Sequence, residues 1–322
     1  MKFVARLFAF AAAFACGAAQ SQDYPSRPLK AITQFSPGSS GDVVVRTIGT
    51  HLSPLLGQSI VVENRSGAGG VQAVEAGARS APDGYTLLFI SPAVPVIRVA
   101  AGVPMSVDPT RELAPLTMVA ITPSVIVAHP SLPVTSFTGL IDYAKKNPGK
   151  ISFSTTGIGS PHHLASEQIR LLTGVDMVHV PYKGGVASMT DLVAGRIEIA
   201  YVILGDAMPH IKAGKARVLA TREGKRLRQL PDVPSVAEFL PGFEPIPGWT
   251  SLFLPAGTPA PIARRLFADV GRTLKMPEAA ERIVQAGFEV AFNATPEEFA
   301  PQVKREIELV QRIAKSANIK LE

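Results

Sequence analysis

Short β-branched runs alternate along this chain with helix-length amphipathic segments, the rhythm of an α/β protein with mostly parallel sheets. Leu29–Gln34 reads as a strand. The small-residue loop Ser36-Pro37-Gly38-Ser39-Ser40-Gly41 follows it, then a helix from Asp42 to Leu52 that Pro54 is expected to end or kink. Ser59–Glu63 is a second strand, Ser66-Gly67-Ala68-Gly69-Gly70 its loop, and the next helix runs to Arg79. Pro82-Asp83-Gly84 turns the chain into the strand Tyr85–Ile90. After an irregular proline-rich stretch come the apolar runs Leu116–Ile121 and Ser124–Ala128, a helix over Ser136–Asn147 and the strand Ile151–Ser154. Thr155-Thr156-Gly157-Ile158-Gly159-Ser160 then precedes a helix over Pro161–Leu172. Pro181-Tyr182-Lys183-Gly184-Gly185 stands between the strand Met177–Val180 and a helix ending near Ala194. Glu198–Ile203 and Ala216–Thr221 are further strands. From Arg222 to Pro247 the pattern dissolves into charge, Pro and Gly, which marks a linker returning to the first half. The chain closes with the strand Trp249–Leu254, helices from Ala260 and Pro277, and a last helix over Pro296–Ser316. There Thr295 is the expected cap, with Pro296 and Glu298 at the first and third helical positions.

The unit that recurs is a strand ending in a small-residue loop that opens a helix. Such a loop presents N–H groups that no intrahelical carbonyl can satisfy, and the helix dipole adds partial positive charge there. Helix starts of this kind hold anions, and in open parallel sheets they gather at the carboxyl edge, where ligands bind. Glycine lets a ligand approach the backbone; Ser and Thr add hydroxyl donors. The ligand predicted is small and anionic, a carboxylate first of all.

The first 21 residues stand apart. Lys2 and Arg6 come without an acid, Leu7 to Ala15 is apolar, and small residues follow, the order of a Sec-type signal peptide cut between Ala19 and Gln22. Cys16 raises a lipoprotein alternative, but Ala13-Phe14-Ala15-Cys16 lacks the usual aliphatic residue three positions before the cysteine. Cleavage removes Lys2, Arg6 and Cys16, lowering the formal net charge from +6 to +4 and leaving no thiol, which suits an oxidising compartment. The remaining positive charge is scattered, so nucleic acid is not expected as a partner. Charged residues at 18% with a mean hydropathy of +0.21 exclude intrinsic disorder.

Thr155 to Ser160 is the strongest site candidate, since Ser160 can cap the helix, Pro161 fills its first turn, and Gly157 and Gly159 leave the approach open; an ordinary strand–helix turn is the competing reading. Gly157 to His162 lacks the third glycine of a dinucleotide fingerprint, and Ser36 to Asp42 lacks the Gly-Lys-Ser/Thr of a phosphate loop. Asp42 reads as a helix-start carboxylate before a catalytic one. His163 and Glu167 are one helical turn apart but have no third ligand at diagnostic spacing, so His163 reads as a hydrogen-bonding support and no metal is expected. Lys183 either pairs with a carboxylate or is simply exposed; Asp206 either contacts ligand or caps a helix. Trp249 reads as core or hinge packing. There is no Gly-x-Ser-x-Gly elbow, no Ser-x-x-Lys and no cysteine after cleavage, so neither an enzyme nor a cofactor is expected.

Several ordered motifs together resemble one family: Tyr24-Pro25-Ser26-Arg27-Pro28, the Phe35 to Asp42 loop, Val62 to Gly70, Ala81 to Leu88, Asn147-Pro148-Gly149-Lys150, Gly157 to Leu164, Val180 to Gly185, Leu230 to Glu238 and Pro255 to Pro261. The chain is similar, from Tyr24 to Ile319, to the Bug-type (Tct-type) extracytoplasmic solute receptors of tripartite tricarboxylate transporters. The resemblance implies a two-lobed periplasmic binding protein of type II, a Venus flytrap, with residues 22–122 and 246–322 in one lobe and 123–245 in the other. Its ligand loops map onto Phe35, Ser36, Ser39, Ser40 and Asp42; Ala68 and Gly69; Ser91; Thr155, Thr156, Gly157 and Ser160; Lys183, Gly184 and Gly185; and Asp206. Gln34 and Ser36 stand where the family usually has prolines, and Leu204-Gly205-Asp206 departs from its common sequence.

The expectation is therefore a monomeric periplasmic receptor that closes its lobes over a small di- or tricarboxylate or related organic acid, then docks on integral-membrane permease subunits. Two alternatives differ in kind: a carboxylate sensor acting through a membrane histidine kinase, and a periplasmic hydrolase using Ser160 with His163.

Overall fold

The structure, a computed structural model, describes residues 24–182, 184–246 and 248–319. The expected leader with Cys16, and Lys183, lie outside the described residues. Strands β1 (Leu29–Thr33), β2 (Ile60–Asn64), β3 (Thr86–Ile90), β4 (Leu113–Ile121), β10 (Trp249–Pro255) and β11 (Glu289–Val290) form a six-stranded sheet in the order β11–β4–β10–β3–β1–β2. Strands β5 (Ser124–Ala128), β6 (Ser152–Thr155), β7 (Val178–Pro181), β8 (Ile199–Ile203) and β9 (Arg217–Thr221) form a second, in the order β7–β6–β8–β5–β9. Each is mixed. β1 pairs with β2 and β3 in parallel, and β6 with β7 and β8, whereas β10 and β5 run antiparallel to both of their neighbours.

That topology brings the two carboxyl edges together. β4 ends at Ile121 on the edge where β1 and β3 end, and after two intervening residues β5 starts at Ser124, opposite the last residue of β8, Ile203. β9 leaves the second sheet at the same edge, and the returning chain starts β10 at Trp249, opposite Ile121. Thr122 N donates to Gly248 O at 2.6 Å, tying the two crossings to each other. Both lobes thus aim their strand-to-helix loops at the space beside these crossings.

Both faces of each sheet are covered, as nearly continuous apolar strands require. In β3, Leu87 and Phe89 join Val44, Val45, Ile48 and Leu52 of α1 (Ser40–Leu56) and Leu266 and Val270 of α8 (Ala260–Leu274) on one face. Leu88 and Ile90 turn to the other face, into an apolar cluster that continues through Trp249, Phe253 and Phe299 to Phe137, Phe153 and Leu164 of the second lobe. The last helix, α10 (Phe299–Ala317), lies over both lobes. Trp249 Nε1 donates to its Glu306 at 3.0 Å, and Arg312 pairs with Glu244 of the returning segment at 2.9 Å.

Four local expectations are corrected. α1 runs through Pro54 to Leu56 because Leu52 and Leu56 are buried in the core and Ser53 Oγ takes up Gly49 O at 2.6 Å. The helix α7 (Leu204–Lys212) has no counterpart in the sequence pattern, since Gly205 and Pro209 interrupt its periodicity. The proline-rich stretch after β3 contains a π-helical turn, Ala93–Arg98, and a short helix α3 (Pro109–Glu112) capped by Asp108. Thr295 makes no side-chain cap; Glu298 instead accepts from Ala294 N at 2.9 Å across a 3₁₀ turn.

Candidate functional site

In the first lobe the loop after β1 is organised by one carboxylate. Asp42, buried in the first turn of α1, accepts from Gly38 N at 2.8 Å and Arg46 Nε at 2.8 Å on one oxygen, and from Asn64 Nδ2 at 2.7 Å on the other. Burial alone would raise its pKa, but the hydrogen bonds from Arg46, Asn64 and Gly38 hold it below the ordinary value. Both oxygens are committed to the protein, so Asp42 shapes the loop. Ser39 caps the helix, its hydroxyl accepting from Asp42 N at 3.4 Å and its carbonyl from Val43 N at 2.9 Å. Among the described residues no protein group accepts from the N–H of Ser40 or Gly41, so two amide donors remain at this helix start. Phe35 packs on Gly41, where a Cβ would overlap its ring. Ser36 and Ser40 are exposed.

The loop after β2 reaches the same edge. Gly67 to Gly70 makes a tight turn in which Ala68 takes φ +49°, a left-handed conformation that costs a non-glycine residue on the order of 1 kcal/mol. Gly69 continues it at φ +65°. Ser91, at the end of β3, is gripped by the side chain of Gln34.

In the second lobe, Ser160 caps α5 (Pro161–Thr173) by accepting from His163 N at 3.2 Å, as its position before Pro161 predicts. Gly157, at φ +128°, turns the loop as only glycine does comfortably. Three histidines then brace it from below. Gly159 N donates to His163 Nδ1 at 3.1 Å, Thr155 Oγ1 meets His179 Nε2 at 2.8 Å, and Thr156 Oγ1 meets His162 Nδ1 at 2.8 Å. The rings of His163 and His179 stack, their centroids 4.2 Å apart. Burial lowers the pKa of all three, that of His179 to about 4, so the braces are neutral near pH 7. His163 carries the supporting role expected of it. Its Nδ1 is occupied by Gly159 N–H, and among the described residues no hydrogen bond joins its ring to Ser160 Oγ.

The loop after β7 opens α6 (Gly185–Val193) with Gly184 at φ +120°. A Cβ on residue 185 would overlap Oδ2 of Asp206, so the half-buried carboxyl in the first turn of α7 closes over this helix start. Burial raises its pKa. Ile158 and Val186, 59% and 71% exposed, flank these two loops.

A buried polar chain links the second-lobe loop to the crossings. His162 Nε2 lies 3.3 Å from Ser124 Oγ, and Arg222, 2% exposed, donates to Ser124 Oγ at 3.1 Å and to Ile246 O at 2.7 Å. Glu223 accepts from Ser124 N at 2.8 Å. Neither Arg222 nor Ser124 stands out in the sequence; Arg222 reads there as the first charge of a linker. A cavity of about 370 Å³ beside Trp249, Ile121, Glu223 and Glu306 also opens at the crossings, and none of the residues of the glycine loops lines it.

Two lobes that share paired crossings, with amide-bearing loops aimed at the space between, define a solute-binding receptor of the periplasmic type II fold. The chain matches, over residues 44–318, the family described as tripartite tricarboxylate transporter family receptor, and it belongs to that family. It is 36% identical over 293 residues to a UPF0065 protein of Pseudomonas sp. strain P51, covering 90% of this chain and 86% of that one. BugT of Bordetella pertussis is 33% identical, with 92% and 91% covered. Among solved structures, R. palustris Rpa4515 with adipate superposes with a TM-score of 0.77 at 32% identity, covering 92% of this chain and 99% of that one. MatC of Rhodopseudomonas palustris with bound malate gives 0.72 at 28% identity, with 90% and 99% covered, and the periplasmic binding protein BugD 0.70 at 31%, with 92% and 99%.

Proposed function

We propose that this receptor captures a small organic acid between its lobes in the periplasm and presents it to the membrane subunits of a tripartite tricarboxylate-type transporter. The observation that carries the reading is the convergence of helix-start amides from two lobes on one edge. On one side stand Ser40 and Gly41; on the other stand Thr156 and Ile158, whose N–H groups meet no protein acceptor among the described residues while those of Gly157, Gly159 and Ser160 are taken, and the start of α6 at Gly185. These groups donate and carry partial positive charge, and they are fixed before the ligand arrives, so a carboxylate replaces its water shell with oriented dipoles. The lobes hinge at residues 122–123 and in the returning segment beside Ile246 and Gly248. Ser36, Ser39, Ala68, Gly69, Ser91, Thr156, Gly157 and Gly184 line the closed space, while Asp42 and Thr155 hold the loops in shape. Ile158 and Val186 supply apolar surface for a ligand's carbon chain. Adipate bound to Rpa4515 and malate bound to MatC support a dicarboxylate as the first class to test.

The test is thermal unfolding against di- and tricarboxylates, the matching diols and sugars. The reading expects the midpoint to rise with one or more acids and with no diol or sugar. A rise with sugars alone overturns it.

A further inference from the structure

Gln34 follows β1 and Ser91 follows β3, neighbouring parallel strands of the first sheet. Their side chains meet twice over: Ser91 N donates to Gln34 Oε1 at 3.0 Å, and Gln34 Nε2 donates to Ser91 Oγ at 2.8 Å. The amide has no choice of orientation. A backbone N–H can only donate, so the atom facing it is the amide oxygen; the NH2 then faces the hydroxyl, and it too can only donate. Ala93 N donates to the same hydroxyl oxygen at 3.4 Å. A serine oxygen accepts two hydrogen bonds and gives one. With both acceptor positions used, the Ser91 proton is free only to be given away, and no described residue takes it. The amide also leans on the loop after β2, where a Cβ on residue 70 would come within 3.0 Å of Gln34 Oε1.

Building on the carboxylate reading above, we infer that Gln34 is a specificity-determining positioning residue. It locks Ser91 as a one-way hydrogen-bond donor toward the ligand space, so that the site favours an oxygen with a free lone pair, a carboxylate oxygen foremost, and rejects a group that can only donate, such as an ammonium. Gln34 acts through Ser91 and touches no ligand itself.

The experiment is calorimetric titration at pH 7 of the wild type, Ser91→Ala, Gln34→Glu, Gln34→Met and the Gln34→Met/Ser91→Ala double variant with adipate and with malate, beside thermal unfolding of each ligand-free protein. For whichever acid binds the wild type, Ser91→Ala weakens affinity about tenfold, the worth of one hydrogen bond to a charged group. Gln34→Glu weakens it at least as much, because its carboxylate draws in the Ser91 proton. The double variant binds no more weakly than Ser91→Ala alone. Wild-type affinity in Gln34→Glu, or losses that add independently in the double variant, overturns the role of Gln34 and leaves the carboxylate reading standing. If the wild type binds neither acid nor any other carboxylate, that reading fails and this inference falls with it.

Discussion

Asp206 and Gly185 belong to different helices, yet the carboxyl of the first occupies the place that a Cβ on the second would take. The helix start at Gly185 is therefore roofed by an acid, and the glycine is required by the neighbour rather than by backbone torsion. Burial raises the Asp206 pKa, so the folded state binds its proton more tightly than the unfolded chain. That penalty on the charged form is complete above the folded pKa and vanishes below the ordinary carboxylate value. Asp206→Asn is thus more stable than the wild type at pH 7, and the difference shrinks toward pH 4. Unfolding midpoints at the two pH values check this; a constant difference contradicts it.

The three histidines under the second-lobe loop have the opposite sign. Their folded pKa values lie below the ordinary 6.5, that of His179 at about 4, so between these limits the unfolded chain binds more protons. Stability is full above about pH 6.5 and falls as the pH drops toward 4. His179→Phe keeps the stack against Phe153 but removes one titrating ring, and it flattens the decline by about 1 kcal/mol, the half-exposed ring being partly solvated in the wild type. Chemical denaturation at pH 7 and pH 4.5 measures it, and an unchanged slope refutes the assignment.

Arg222 joins the crossings through Ser124 and Ile246 O. Truncation to alanine leaves Ile246 O buried without this donor, leaves Ser124 Oγ only its contact with His162, and lowers stability by about 3 kcal/mol. Arg222→Lys restores the charge but not the fork, so it recovers only part of the loss. Urea unfolding of the two variants separates charge from geometry, and full recovery by lysine would show that geometry is irrelevant here.

Ser160 can be separated into its two roles. As a helix cap, Ser160→Ala costs about 1 kcal/mol while Ser160→Gly costs a few tenths. As a ligand contact, both variants lose the same hydroxyl and weaken acid binding alike. Stability that differs between the two variants, with affinity that does not, is the expected pair of results. Equal stabilities contradict the capping role, and unchanged affinity in both contradicts the contact.

Much of this was legible in the residues because local rules and global fold agree. Each glycine loop from Ser36 to Ser160 sits between a β-branched run and an amphipathic helix, and the cap at Ser160 follows from its position before Pro161, whereas Ser39 caps a helix that starts two residues before the expected Asp42. Where tertiary packing overrides local preference the sequence misleads. Pro54 does not stop α1, because buried Leu56 holds the last turn. α7 forms despite Gly205 and Pro209 because Leu204 and Ala207 are buried against the second sheet. The long-range parts of the site had no local signal: His179 meets Thr155 from 24 residues away, Gln34 meets Ser91 from 57 and Arg222 meets Ser124 from 98. Asn64 gives a sharper case, since it stands in a recognisable run but its partner, Asp42, becomes evident only when β1 and β2 pair.

The most direct measurement is a crystal structure of the receptor with the acid that raises its unfolding midpoint most. The account predicts closed lobes, with carboxylate oxygens about 3 Å from the amides at Ser40 or Gly41 on one side and from those of Thr156, Ile158 or Gly185 on the other. An acid seated elsewhere, for example in the cavity beside Trp249 and Glu306, or held without any of these amides, would contradict it.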